Sequence, residues 1–470
     1  MYVDKFCDKT YDNILDTIKR VHFVGIGGSG MCPLAEILIS EGYKVSGSDT
    51  SDGDTLRRIK GYGIPVFMGH DKSNVNGAEL VVYTAAVKQD NPELVSAREQ
   101  GIPTIERSVM LGIVSRHYKN SVAVSGTHGK TTTTAMISQV LIGSKFEPTA
   151  IIGGTLPLIG GNSYVGTSDI IVCEACEYVD SFLQITPAVS VILNVDADHL
   201  DYFENLDNIK KSFGKFVNQT SNAVIVNGDD QNALDSVKDS PVRVVTFGFG
   251  ENNEYRAVMT SPQSTVYDSF DFFHNGEKLC NITLSVPGKH NVYNALAAAS
   301  AAHYLGVKPE DIAENLHKFT GVHRRFEILG KHNGITVADD FAHHPTEIKA
   351  TLSAAMQMGF RKVWNVFQPH TYSRTAVLLD DFANALSIVD EAVILEILPV
   401  RETNTYNIYN TDLGNKVSGS KCIDTFEDAA KYVCENAQPG DLILTMGGGN
   451  VYMCANLIND MLAEKENKQS

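Results

Sequence analysis

Through the first hundred residues, short apolar runs alternate with longer segments of helical periodicity. Val21 to Gly25, Tyr43 to Gly47, Leu80 to Thr84 and Ile102 to Ile105 read as strands. This alternation predicts a parallel sheet covered by helices. The rhythm restarts at Ser121 and continues through Ile170 to Cys173, Ser190 to Val195 and Ala223 to Asn227. Short strands and turns follow from Val242 to Ser285, then a helical run from Asn291 to Leu305. A third unit begins near Phe326, with strands expected at Ile335 to Ala338, Val363 to Phe367, Ala392 to Ile397 and Leu442 to Met446. The pattern predicts three α/β domains, at residues 1–119, 120–322 and 323–470.

Composition adds limits. With 39 basic against 56 acidic residues the chain carries a net charge of −17, which argues against a nucleic-acid or anionic-membrane surface. Any anionic ligand must then be held by local groups. No apolar run approaches the roughly 20 residues that span a bilayer, and the polar N-terminus has no signal-like core, so no membrane insertion and a cytoplasmic location are expected. Eight cysteines fit that reducing compartment. Cys173 and Cys176 have CxxC spacing, but no second pair completes a tetrahedral zinc site, so they are expected as buried strand-end packing.

The most informative stretch is Val122-Ala-Val-Ser-Gly126-Thr127-His128-Gly129-Lys130-Thr131-Thr132. A strand ends in a glycine turn, and a lysine with two hydroxyls then opens a helix. Backbone N–H groups and the helix N-terminus can wrap phosphate, Lys130 can reach its outer oxygens, and the Thr131 hydroxyl can hold Mg²⁺. The chain is expected to bind ATP or GTP, although its two glycines stand closer than in the usual phosphate loop.

A second loop, Gly25-Ile-Gly27-Gly28-Ser29-Gly30, has dinucleotide-type spacing, with Asp49 at the end of the next strand. NAD(P) is one ligand it can serve, and Asp49 can meet a ribose or cap a turn. Glu174 and His199 each follow a strand, so in an open parallel sheet they should converge on the Lys130 loop and can hold Mg²⁺. Asn291 and Asn294 open a helix, where they can cap it or read an adenine edge. Arg324 and Arg325 enter the third domain with guanidinium forks that match phosphate oxygens. Asp340, His343 and His344 lie at a strand-to-helix turn, and Phe367-Gln-Pro-His370-Thr-Tyr-Ser-Arg374 follows the next strand.

Seven motifs in this order, HFVGIGGSGM, SGTHGKTTTT, NVDADHLDYF, GKHNVYNALAA, GVHRRFE, DDFAHHPTEI and FQPHTYSRT, make the chain resemble the Mur ligases, the ATP-dependent amino-acid ligases of peptidoglycan synthesis and so of cell-wall biogenesis, cell shape and division. The resemblance implies an N-terminal Rossmann-like UDP-binding domain, a central P-loop ATPase-like α/β domain and a C-terminal Rossmann-like α/β domain. It implies ATP and Mg²⁺ as cofactors, UDP-N-acetylmuramate and L-alanine as partners, and an acyl-phosphate intermediate; a sister ligase adding another amino acid or a recycled peptide is the alternative. It places Lys130, Glu174, His199, Arg325 and His344 in catalysis, with Thr131, Glu174 and His199 around the metal. ATP contacts are implied for Gly126 to Thr132, His290, Asn291, Asn294, Arg324, Arg325 and Asp340. Substrate contacts are implied for Gly25, Gly27, Gly28, Ser29, Gly30, Asp49, His70, Thr84, Arg107, His343, His344 and Arg374. Which of His343, His344 and Asp340 deprotonates the amine stays open. Three positions depart from the family pattern: Cys176-Glu177-Tyr178-Val179 after Glu174, Thr371 where arginine is common, and Ala85 where serine is expected.

Overall fold

The computed structural model describes residues 9–262, 267–400 and 402–467. They fall into two compact units, one taking in the chain up to Val258 with Asp271–Ile282 and Tyr293–Leu316, the other taking in the rest.

In the first unit, β1 (Arg20–Val24), β2 (Lys44–Asp49), β3 (Val66–Met68), β4 (Leu80–Tyr83) and β5 (Thr104–Glu106) form a parallel sheet of order β3-β2-β1-β4-β5. β1 is covered on both faces, with Val21, Phe23 and Val24 buried, as expected of a central parallel strand. The order reverses at β1. A crevice therefore opens beyond Val24 and Tyr83, where the glycine loop and Thr84 lie.

The second sheet contains β6 (Asn120–Ser125), β7 (Thr149–Leu156), β8 (Gly161–Tyr164), β9 (Ile170–Glu174), β10 (Val189–Ile192), β11 (Ala223–Asn227), β12 (Arg243–Gly248) and β13 (Tyr255–Met259). Its order is β8-β7-β9-β6-β10-β11-β12-β13, continued by β14 (Tyr267–His274) and β15 (Glu277–Pro287). β6 sits between β9 and β10, parallel to both, so its C-terminal end faces theirs. The antiparallel β7–β8 hairpin is absent from the periodicity reading. Gly153-Gly154 interrupts one strand, and Gly161-Asn-Ser-Tyr is too polar to register as the other.

In the second unit, β16 (Glu327–His332), β17 (Ile335–Asp340), β18 (Val363–Phe367), β19 (Glu391–Ile394), β20 (Lys421–Cys422) and β21 (Leu442–Met446) take the order β16-β17-β21-β18-β19-β20. Only β16 runs antiparallel, against β17. Successive residues alternate between two cores: Val337, Trp364 and Ile443 point to one, and Ala338, Phe367 and Leu444 to the other. Among the described residues no helix is long and apolar enough to cross a membrane.

Candidate active site

The phosphate loop joins β6 to the helix Lys130–Gly143. Gly126 and Gly129 have φ of 145° and 86°, and a Cβ on Gly129 would collide with the Asn294 amide. Only glycine suits such a position. Neighbouring strand ends hold the loop: the Asn194 side chain accepts from the His128 N–H at 2.8 Å and donates to the His128 carbonyl at 3.0 Å, and Thr127 N–H donates to the Asn194 carbonyl at 3.1 Å. Asn294 is buried behind the loop and accepts from the Thr133 hydroxyl at 3.3 Å, so its side chain buttresses the cradle. Thr132 follows in the first helical turn.

Lys130 folds back over this loop. Its Nζ donates to the Gly126 and Thr127 carbonyls at 2.5 and 3.0 Å and lies 3.1 and 2.9 Å from the two Glu177 carboxylate oxygens. Burial works against the ammonium, but Glu177 more than offsets it and the lysine pKa is raised, so the charge is kept. The Thr131 hydroxyl donates to Glu174 Oε2 at 3.2 Å, and Glu174 Oε1 accepts from the Gly153 N–H on β7. His199, at φ 53°, places Nε2 3.9 Å from Glu177 Oε1 and 3.8 Å from Asp198, with its ring against Tyr178 at 4.5 Å. Lys130, Thr131, Glu174 and His199 thus stand together, as the strand-end reading anticipates. Glu177 stands among them although no single motif singled it out. Val179 and Asp180 make this possible: both adopt left-handed backbone, and the buried Asp180 carboxylate accepts from the Tyr202 hydroxyl at 2.8 Å and from Ser212.

The oxygen-rich set of Thr131, Glu174 and Glu177 with the His199 imidazole suits a hard divalent cation such as Mg²⁺. Zinc does not fit. Cys173 is buried and its thiol is pushed up to about 12, while burial, with Glu177 adding, also raises Cys176.

Asp49 braces the glycine loop. Oδ2 accepts from the Gly27 N–H at 2.8 Å, and Oδ1 from the Thr50 and Ser51 N–H groups at 2.8 and 3.1 Å. These contacts shape the loop beside the cavity that Asp49 also lines. Gly25, Gly27, Gly28, Asp49, His70 and Thr84 line a cavity of about 540 Å³. His70 Nδ1 lies 3.2 Å from Ser48 Oγ and 3.3 Å from the buried Glu93. A second cavity of about 330 Å³ is lined by Gly28, Ser29, Gly30, Arg107, Gly153 and Glu174, among others. It links the glycine loop to the carboxylate that meets Thr131.

In the second unit, two adjacent arginines separate in role. Arg324 is spent internally: Nε donates to the buried Asp339 at 2.8 Å, and the two terminal nitrogens donate to the Gly449 and Gly447 carbonyls at 2.7 and 3.0 Å. All three of its nitrogens are thus engaged within the second unit. Arg325 lies over the Phe341 ring at 5.2 Å and keeps its guanidinium donors outside that network. Asp340 accepts from the Phe326 and Ala342 N–H groups at 2.8 and 2.7 Å, and burial lifts its pKa to about 6 against the pull of Arg325.

The two histidines also divide. His344 is the N-cap of the helix Pro345–Gln357, its Nδ1 accepting from the Thr346 N–H. His343 Nδ1 faces the Phe341 carbonyl at 3.0 Å, which leaves Nε2 as the lone-pair nitrogen, and burial holds its pKa near about 4. The His370 ring lies 5.5 Å from it, and Arg374 opposes protonation of both. Thr371 caps the helix Tyr372–Val377 at φ 67°. Asn291 donates to the Pro287 carbonyl at 2.7 Å, next to His290 in the first turn of the helix Lys289–Tyr304.

Comparison with known proteins accords with this arrangement. Residues 20–119, 124–302 and 324–449 match families described as the Mur ligase family catalytic domain, the Mur ligase middle domain and the Mur ligase glutamate ligase domain. The chain is 46% identical to the UDP-N-acetylmuramate–L-alanine ligase of Acetivibrio thermocellus over 94% of its length and 96% of that protein. It is 44% identical to the enzyme of that name from Clostridium acetobutylicum, covering 94% of this chain and 98% of the other. Among solved structures, the UDP-N-acetylmuramate-alanine ligase of Thermotoga maritima superposes with a TM-score of 0.80 at 29% identity, covering 95% of this chain and 99% of that one.

Proposed function

The chain belongs to the Mur ligase family, and we propose that within it this protein joins L-alanine to the lactyl carboxylate of UDP-N-acetylmuramate at the cost of ATP. The observation that carries this reading is the cavity running from Gly28–Gly30 past Arg107 to Glu174. It offers a path for a carboxylate from a sugar-nucleotide loop to the Lys130–Thr131 cradle.

The reaction runs in two steps. A lactyl carboxylate oxygen attacks the γ-phosphorus of ATP, the bond to ADP breaks, and an acyl phosphate forms. The L-alanine amine then attacks the acyl carbon, phosphate leaves with the C–O bond electrons, and the amine gives up a proton. A carboxylate is a poor electrophile, so exchanging its oxygen for a phosphate leaving group makes the second step possible. Lys130 leaves Glu177 to neutralise the transferred phosphoryl group, and the loop N–H groups orient it. Mg²⁺, when bound by Thr131, Glu174 and His199, supplies charge neutralisation on the phosphates. Arg325 supplies a further guanidinium toward phosphate, and His290 a contact to the nucleotide base. Arg107 orients the lactyl carboxylate, while Thr84, His70 and Gly25 to Gly30 hold the sugar nucleotide. His343 Nε2, unprotonated at neutral pH, accepts from the incoming amine, with Arg374 fixing the alanine carboxylate.

Domain boundaries near residues 119 and 322 fit the spans of the three family matches. A cytoplasmic location fits the cysteines, free at all seven described positions. The test is ADP release with UDP-N-acetylmuramate and each amino acid in turn. L-alanine should give the fastest turnover, and faster turnover with another amino acid or a peptide would favour a sister ligase.

A further inference from the structure

The β7–β8 hairpin touches both ends of the proposed path. On β7, the Gly153 N–H donates to Glu174; on β8, Asn162 Nδ2 donates to the Ser29 carbonyl of the glycine loop at 2.6 Å. The same Asn162 presents Oδ1 to Arg58 at 2.7 Å. Arg58 in turn pairs with Glu36 at 2.8 Å, on the helix that follows the loop, and Ser163 donates to the other Glu36 oxygen. Glu36 is only 5% exposed, so this charge pair is built into the packing. β7 is also zipped in parallel to β9, the strand that ends in Glu174. A continuous hydrogen-bonded route thus runs from Glu174 through two strands to Ser29.

We infer that Asn162 and Arg58 are positioning residues that clamp the glycine loop to this hairpin and so set the distance between the sugar nucleotide and the phosphate cradle. The inference rests on the ligase reading above. Neither side chain touches a reacting atom. Their effect passes through Ser29 and Glu36, and its target is the approach of the lactyl carboxylate to the γ-phosphate. Phosphoryl transfer depends steeply on such alignment.

Asn162→Asp separates the two halves of the clamp, because a carboxylate still accepts from Arg58 but sets an oxygen against the Ser29 carbonyl. Gly161→Ala is a second variant that keeps every hydrogen-bonding group, since a methyl there would push directly on the Arg58 guanidinium. In each purified full-length variant, kcat for ADP release is measured with UDP-N-acetylmuramate, ATP and L-alanine, beside calorimetric Kd values for UDP-N-acetylmuramate and ATP and the Tm. Asn162→Asp should lower kcat about 10- to 100-fold while each Kd stays within about threefold of the parent, with Gly161→Ala moving the same way to a smaller extent. If Asn162→Asp does not fold, a lowered kcat with unchanged Kd values in Gly161→Ala decides in favour. Parental kcat in the folded variants overturns the proposal, as does a weakened sugar-nucleotide Kd with kcat intact at saturation. A parent protein without ligase activity overturns the ligase reading first and this proposal with it.

Discussion

Glu177 grips the Lys130 ammonium with both carboxylate oxygens, at 3.1 and 2.9 Å, directly above the loop that would cradle phosphate. In the proposed reaction the lysine exchanges this partner for a phosphate oxygen. Lys130→Ala should therefore cut turnover by roughly 10²-fold or more with the fold intact. Glu177→Gln should instead tighten ATP binding about fivefold, the equivalent of about 1 kcal/mol of pairing lost from the free enzyme. Calorimetry with ATP checks the second statement, and weaker binding would contradict it.

Glu174 meets both the Thr131 hydroxyl and the Gly153 N–H. Glu174→Gln keeps the shape and removes the charge, so the Mg²⁺ concentration for half-maximal rate should rise by at least about tenfold. Cys176→Ser should leave rate and metal content unchanged. Stoichiometric zinc by plasma emission, lost on replacing Cys173 and Cys176, would contradict this site.

The neighbouring arginines should fail differently. Arg324→Ala strands the buried Asp339 without its partner and should cost about 3–5 kcal/mol of stability. Arg325→Ala should leave Tm near the parent value and lower turnover about 10²-fold. Thermal unfolding and ADP release on both variants separate the two effects.

Acid should weaken the second unit. Burial holds His343 and His370 near about 4, below the usual 6.5, so the unfolded chain takes up these protons first. The stability they contribute is fully present above pH 6.5 and is lost as pH falls toward 4. Asp340, raised to about 6, acts in the opposite sense: its folded form binds the proton more tightly, so it gains stability as pH falls from 6 toward 4. Buried His290, also held near about 4, acts with His343 and His370, while His323, raised by its hydrogen bond to Glu327, acts with Asp340; three groups outweigh two, and Tm should drop across this window. His370→Gln should flatten the slope, and an unchanged slope in that variant would rule out His370 as a contributor.

What the sequence disclosed, and what it hid, has a physical basis. β6, β10, β18 and β21 were legible because strands buried on both faces must be apolar throughout, and the glycine loops because positive φ leaves few alternatives. The β7–β8 hairpin was hidden by its glycines and polar residues. The division of labour between Arg324 and Arg325, or between His343 and His344, was equally invisible, because adjacent identical residues differ only in the partners that folding brings to them. The bracing contact of Asp49 was hidden for a similar reason: its partner is a backbone N–H, which leaves no trace in side-chain spacing.

The position of β6 between β9 and β10 also fixes when in synthesis the phosphate cradle can exist. A nascent chain that has emerged through Thr134 carries the whole motif but neither flanking strand, and it lacks Asn194, which braces the turn, and Asn294, which backs it. The first sheet, by contrast, has all its strands once Glu106 is out of the ribosome. Vectorial synthesis therefore delivers the strands of the first sheet well before the glycine turn after β6 can be braced, and a ribosome stalled short of Asn294 holds a chain whose second glycine loop is written but not yet built.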